Sequence, residues 1–143
     1  MNLDRYFRST TQLFAEGRLA KAVAALRLPM PLYINGGIRV VYAQSEMVWI
    51  LARYRRNLQR AGLARSEVEV IKRETDTSDR MRAVVRWTNL TGGGRVISAP
   101  TIAFYFSRTA SDGWQVAVVD VLSRPDAELI KGTGLETIGA KNA

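Results

Sequence analysis

The feature that most constrains the fold of this chain is a series of three strand-forming segments between residues 80 and 122. They read RMRAVVRWTNLT (80–91), RVISAPTIAFYFSRT (95–109) and WQVAVVDVL (114–122), and each is rich in β-branched and aromatic residues. Short turns with glycine separate them, at Gly92-Gly93-Gly94 and at Ser111-Asp112-Gly113. Connections this short join neighbouring antiparallel strands, so the sequence predicts three long strands of one sheet.

The N-terminal half predicts helices and a hairpin that cover this sheet. Apolar residues recur at helical spacing over residues 3–16 and 18–28, and Pro29 and Pro31 end the second helix. Asn35-Gly36 between β-formers predicts a short hairpin at the sheet edge, followed by an amphipathic helix over residues 46–61. Alternation over residues 66–75 predicts one more strand. Helices followed by a four-strand meander predict an α+β fold with the helices on one face.

Composition narrows the chemistry that the chain can perform. Among its 143 residues there is neither cysteine nor histidine, which excludes disulfides, thiolate chemistry, the usual zinc ligands and a histidine base. Any acid–base chemistry falls to Asp, Glu, Lys or Tyr. We therefore expect no metal and no cofactor. The net charge of +8 favours anionic partners in general.

The sequence also gives expectations about location and domain organisation. The first ten residues lack the apolar region of a signal peptide, and no apolar run is long enough to span a membrane. We expect a cytoplasmic protein without membrane contact. A single domain is predicted over residues 1–122, followed by a partly flexible extension over residues 123–143 that has few large apolar residues.

The order and lengths of these elements resemble the NTF2-like superfamily, also called SnoaL-like or cystatin-like. The resemblance rests on the paired N-terminal helices, on LPMPLYINGGIRVVYAQSEM leading into the third helix, and on WQVAVVDVL at the end of the sheet. It implies a cone in which three N-terminal helices pack on the concave face of a curved, mostly antiparallel sheet. It also implies a ligand pocket inside the cone and a homodimer formed through the sheets. Enzymes of the superfamily use a carboxylate on the first hairpin, where this chain has Tyr33-Ile34-Asn35.

Asp120 is the candidate catalytic residue, because it interrupts the apolar segment of the last strand. Facing an apolar cavity, it would have a raised pKa and could act as a base or anchor a ligand. The alternative is a structural carboxylate that pairs with an arginine or faces solvent. Together with Asp120, four aromatic residues are candidates for contacting a ligand: Tyr54, Trp87, Phe104 and Tyr105. The alternative is that these four are ordinary core residues.

A third set of candidates lies on the polar side of the predicted third helix. Trp49, Arg53, Arg56 and Arg60 share one helical face, which could bind phosphates and stack bases or could be a solvated surface. The other basic residues are scattered and no RNA-binding motif is present, which weighs against nucleic-acid binding.

Three functions are therefore considered. The first is a non-enzymatic homodimer that binds a small hydrophobic ligand in the cone cavity. The second is a cofactor-independent lyase or isomerase acting on a hydrophobic carbonyl substrate with Asp120 as base. The third is an association domain whose basic surface docks an acidic or nucleic-acid partner.

Overall fold

The computed structural model describes residues 1–111 and 113–139 of the chain. Their helices and strands follow one another in the order α1 (Leu3–Ala15), α2 (Leu19–Ala22), β1 (Met30–Ile34), β2 (Gly37–Val41), α3 (Gln44–Arg60), β3 (Leu63–Thr77), β4 (Arg80–Thr91), β5 (Val96–Ser98), β6 (Thr101–Thr109), β7 (Gly113–Val121) and α4 (Ala127–Ile130). The predicted α+β class is confirmed, and the sheet has seven strands where the sequence predicted six, because the strand expected over residues 95–109 is divided in two. None of the described helices is long and apolar enough to cross a membrane.

The sheet has the strand order β2-β1-β7-β6-β4-β3. The meander of β3, β4, β6 and β7 is antiparallel, and the β1–β2 hairpin joins it through a parallel pairing of Leu32 with Val119. The predicted hairpin is thus confirmed, and β2 is an edge strand. Asn35 and Gly36 both have positive φ, as a turn of this kind requires. Register shifts interrupt the β3–β4 and β6–β7 pairings, and bulges of this kind bend a sheet.

Two predicted elements are shorter than the sequence pattern indicated. The strand predicted over residues 95–109 is broken between Ser98 and Thr101, because Pro100 lacks the N–H that a continuous ladder needs. Its two parts, β5 and β6, both pair with β4. The helix predicted over residues 18–28 ends at Ala22, since the following segment instead exchanges backbone hydrogen bonds with Val116 of β7 at 2.7 and 2.8 Å.

Helix α3 holds the other helices in place through side-chain donors. Arg55 donates to the carbonyl oxygens of Phe14 and Ala15 at the end of α1, at 2.9 and 2.8 Å. Gln44 donates to the carbonyl oxygens of Ala20 and Val23 at α2. Asn57 donates to the carbonyl oxygens of Leu129 and Lys131 at α4. These contacts supply partners for carbonyls that a helix end leaves unsatisfied.

The segment after the sheet packs on this framework. Leu129, Ile130 and Leu135 are buried against side chains of the hairpin and of α3. The predicted domain end at Leu122 and the flexibility of the extension stay predictions, and residues 140–143 lie outside the described part of the chain.

Candidate functional site

The two faces of the sheet carry different sets of side chains. The pairing register of the strands shows on which face each side chain lies. Residues paired across neighbouring strands point to the same face. One row of partners crosses the sheet through Ala83, Phe104, Val119 and Leu32. The adjacent row crosses it through Val84, Ala103, Asp120, Tyr33 and Ile38. Because neighbours in a strand point to opposite sides, the first row lies on one face and the second on the other.

The first row faces the helices and forms the inner face. Phe104 meets Phe7 of α1 with ring centroids 5.0 Å apart, and Phe106 packs beside both rings. Phe7 is 1% exposed. In this region the space between α1 and the sheet is filled by aromatic rings, so Phe104 packs in the core.

Tyr54 and Trp87 belong to a second part of the interior, which we call the aromatic cluster. Phe14 of α1 lies between them, with its centroid 6.3 Å from Tyr54 and 6.2 Å from Trp87. Around these rings pack Leu19, Leu58 and Leu129, which are buried, together with half-buried residues that include Leu63 and Ile97.

A buried polar network adjoins the aromatic cluster. Asn89 is fully buried; its amide oxygen accepts from the Ser66 hydroxyl at 2.7 Å and its amide nitrogen donates to Ser98 Oγ at 3.0 Å. Burial raises the pKa of the Tyr54 hydroxyl, while hydrogen bonds with Ser98 and Asn89 act in the opposite direction. At neutral pH the network therefore holds a neutral phenol that can donate a hydrogen bond. Sequence reasoning missed Asn89, although it is the one amide in the apolar strand 80–91.

Tyr105 and Asp120 lie on the other, outer face of the sheet. The Arg82 Nε–H donates to the Tyr105 hydroxyl at 3.0 Å, and the guanidinium carbon lies 5.4 Å from the centroid of that ring. This hydrogen bond is the main cause that raises the pKa of Arg82, and the charge of Asp120 contributes in the same direction. The five predicted site residues therefore do not share one cavity: Tyr54, Trp87 and Phe104 lie on the helix side of the sheet, and the other two lie on the opposite side.

Comparison with solved structures shows which fold this two-faced sheet belongs to. A protein of unknown function with a cystatin-like fold from Nostoc punctiforme matches with a TM-score of 0.65 at 12% identity, over 96% of this chain and 85% of the other. An NTF2-like protein of unknown function from Shewanella oneidensis matches with a TM-score of 0.62 at 14% identity, over 82% and 93% of the two chains. Aln2 from a Streptomyces species matches with a TM-score of 0.63 at 9% identity, over 83% and 86%. This chain has an NTF2-like fold.

Sequence comparisons add nothing to this assignment. No protein-family model matches the chain, and no curated protein sequence matches it. Identities of 9 to 14% show the fold alone, and an NTF2-like fold is compatible with many activities.

Within the NTF2-like fold, the position of Asp120 bears on the lyase or isomerase hypothesis. That hypothesis requires a carboxylate inside the cone, whereas the register places Asp120 on the outer face opposite Ala103 and Tyr33. A catalytic role for Asp120 stays a prediction, without support from its placement. Within residues 1–111 and 113–139, no three carboxylates come together as metal ligands would.

The basic side of α3 is open to solvent. Trp49 is 56% exposed, and Arg53, Arg56 and Arg60 are exposed along the same side of the helix. In the described part of the chain these arginines form no ion pair with a carboxylate. The positive charge of this surface favours anionic partners.

Proposed function

We propose that this chain is a dimeric NTF2-like binding protein. Two copies pair through the outer face of the sheet, and each copy takes a small apolar ligand at the aromatic cluster. The observation that carries the pairing is the row of side chains across the outer face, in which Tyr33 is 43% exposed and Ile38 is 50% exposed. Neighbouring exposed apolar residues on a soluble fold mark surfaces of association.

The charges on the outer face also fit pairing with a second copy. In a twofold dimer the same surface meets itself, so it must be complementary to itself. Arg82 and Arg86 lie on this face together with Glu69 and Asp120. Each copy thus offers both signs of charge on the same face as the exposed side chains of Tyr33 and Ile38.

Ile38→Glu tests the pairing. A twofold interface contains each residue twice, so the substitution buries two carboxylates without partners. We expect the dimer Kd to rise by at least about 100-fold. Sedimentation velocity over a series of protein concentrations measures this Kd. Trp49→Glu, at an exposed position on α3, is the matched control and should leave the Kd unchanged. A wild-type protein that is monomeric at high concentration, or equal Kd values for wild type and Ile38→Glu, contradicts the proposal.

The ligand part of the proposal rests on the aromatic cluster. Of its members, four apolar residues are buried and seven are half-buried, so part of its apolar surface remains accessible to solvent. It combines aromatic walls with the Tyr54 hydroxyl, Ser98 and the Asn89 amide. Mostly apolar walls with a few polar groups are typical of small-molecule sites.

Ile97→Trp tests the ligand site by filling it. Ile97 packs on the aromatic cluster from β5, and an indole there would occupy the space that a ligand needs. We expect the Kd for the neutral fluorescent probe N-phenyl-1-naphthylamine to rise about tenfold or more, measured by fluorescence titration. Val96 is the adjacent residue in β5, 53% exposed and on the opposite side of the strand, so Val96→Trp should leave that Kd unchanged. Equal affinities for both variants would place the probe elsewhere.

A further inference from the structure

A cleft on the helical layer lies apart from the aromatic cluster and from the outer face. It runs between the first half of α1 and the short segment over residues 21–25, and its volume is about 450 Å³. That size falls within the range of small-molecule sites, about 300–1,000 Å³.

The walls of the cleft are mostly apolar, with Asn2, Ser9 and Thr10 as uncharged polar residues, and its charged side chains are all basic. Tyr6, Leu13 and three alanines supply apolar surface, and the two charged side chains that line it are Arg5 and Lys21. Among the described residues neither cation forms an ion pair with a carboxylate. Asp4, the nearest acidic residue in sequence, pairs instead with Arg73 of β3 at 3.6 Å.

We infer that this cleft binds a small organic anion: a carboxylate, sulfonate or phosphate group carried on an apolar body. The head group would lie between Arg5 and Lys21, where charge-assisted hydrogen bonds replace its hydration. The apolar body would lie against Tyr6, Leu13 and the alanines. This site goes beyond the proposed function, because it shares no residue with the aromatic cluster or with the outer row.

Two related fluorescent probes separate the contribution of the anionic group from that of the rings. 8-Anilinonaphthalene-1-sulfonate carries a sulfonate, and N-phenyl-1-naphthylamine has the same rings without it. We expect the combined variant Arg5→Gln/Lys21→Gln to raise the Kd for the sulfonate probe at least about tenfold and to leave the Kd for the neutral probe unchanged. Near-UV circular dichroism of each variant checks that the fold is retained.

The control variant is Arg80→Gln/Arg95→Gln, which removes the same charge from exposed positions in β4 and in the turn after it. It should leave the Kd for the sulfonate probe within about twofold of wild type. Equal weakening by both double variants would overturn the inference, because the probe would then respond to net charge alone. Loss of sulfonate binding in Ile97→Trp would also overturn it, since the probe would then occupy the aromatic cluster.

Discussion

Phe7→Ala is expected to lower the free energy of unfolding by about 4 kcal/mol. The Phe7 ring is 1% exposed and packs between α1 and the sheet, with ring centroids 5.0 Å from Phe104 and 6.1 Å from Phe106. Both neighbours are fixed by the β6 ladder, so they cannot move far enough to fill the space that the ring leaves. The loss therefore includes the cost of a cavity as well as the lost burial.

This loss is large in relation to the whole protein. Domains of this size are stable by about 5–15 kcal/mol, so Phe7→Ala should remove a quarter of that or more. Urea unfolding at a fixed protein concentration measures it as a lower midpoint with an unchanged m-value. Trp49→Ala truncates an aromatic residue that is 56% exposed, and it should cost only about 0.5 kcal/mol. A cost below about 1.5 kcal/mol for Phe7→Ala would show that the interior between α1 and the sheet is not tightly packed.

The elements that the sequence predicted well are those set by local pattern. Helices α1 and α3 follow from helical spacing, the β1–β2 turn follows from Asn35-Gly36, and β4 has the predicted bounds. The errors arose where the local structure depends on hydrogen bonds to backbone that is far away in the sequence. The segment after Ala22 has the composition of a helix, yet its residue Leu26 pairs with Val116 at the other end of the sequence.

The candidate site could be predicted only in part, because sequence alone does not say which side of a strand faces inward. Phe104 and Tyr105 are neighbours in β6, so one cavity could not take both. The contact between Phe104 and Phe7 decides that Phe104 is the inner residue. Tyr105, the next residue in the strand, therefore lies on the outer face. Asp120 lies there too, because it pairs with Ala103, which is also next to Phe104. A shift of one residue would have exchanged these assignments.

The parallel pairing of β1 with β7 is the long-range contact that completes the outer face. It brings Tyr33 and Ile38 of the hairpin into line with Asp120. Local sequence pattern contains no information on this pairing, although the Asn35-Gly36 turn and the short flanking segments did predict a hairpin at the sheet edge. The dimer surface proposed here therefore depends on tertiary structure, whereas the absence of histidine and cysteine chemistry depends on composition alone.

Asn89→Leu is expected to lower the free energy of unfolding by about 3 kcal/mol, although leucine has the same branching and the same number of heavy atoms as asparagine. Asn89 is fully buried and joins two hydroxyl groups, those of Ser66 and Ser98, next to the Tyr54 phenol. Leucine would leave these groups without their shared partner, and each buried polar group that loses its partner costs about 1–3 kcal/mol. The half-buried hydroxyl of Ser66 should contribute least to this loss, since water can reach it.

A double-mutant cycle with Ser66→Ala separates the network from simple packing. Ser66→Ala alone should cost about 1 kcal/mol, because it removes a single donor to the Asn89 amide oxygen. The combined variant has no Ser66 hydroxyl that could lose its partner. The free-energy costs of the two single variants should therefore sum to more than the cost of the combined variant. Urea unfolding of the four proteins provides the values. Strict additivity would mean that the hydrogen bond between Ser66 of β3 and Asn89 of β4 does not stabilise the fold.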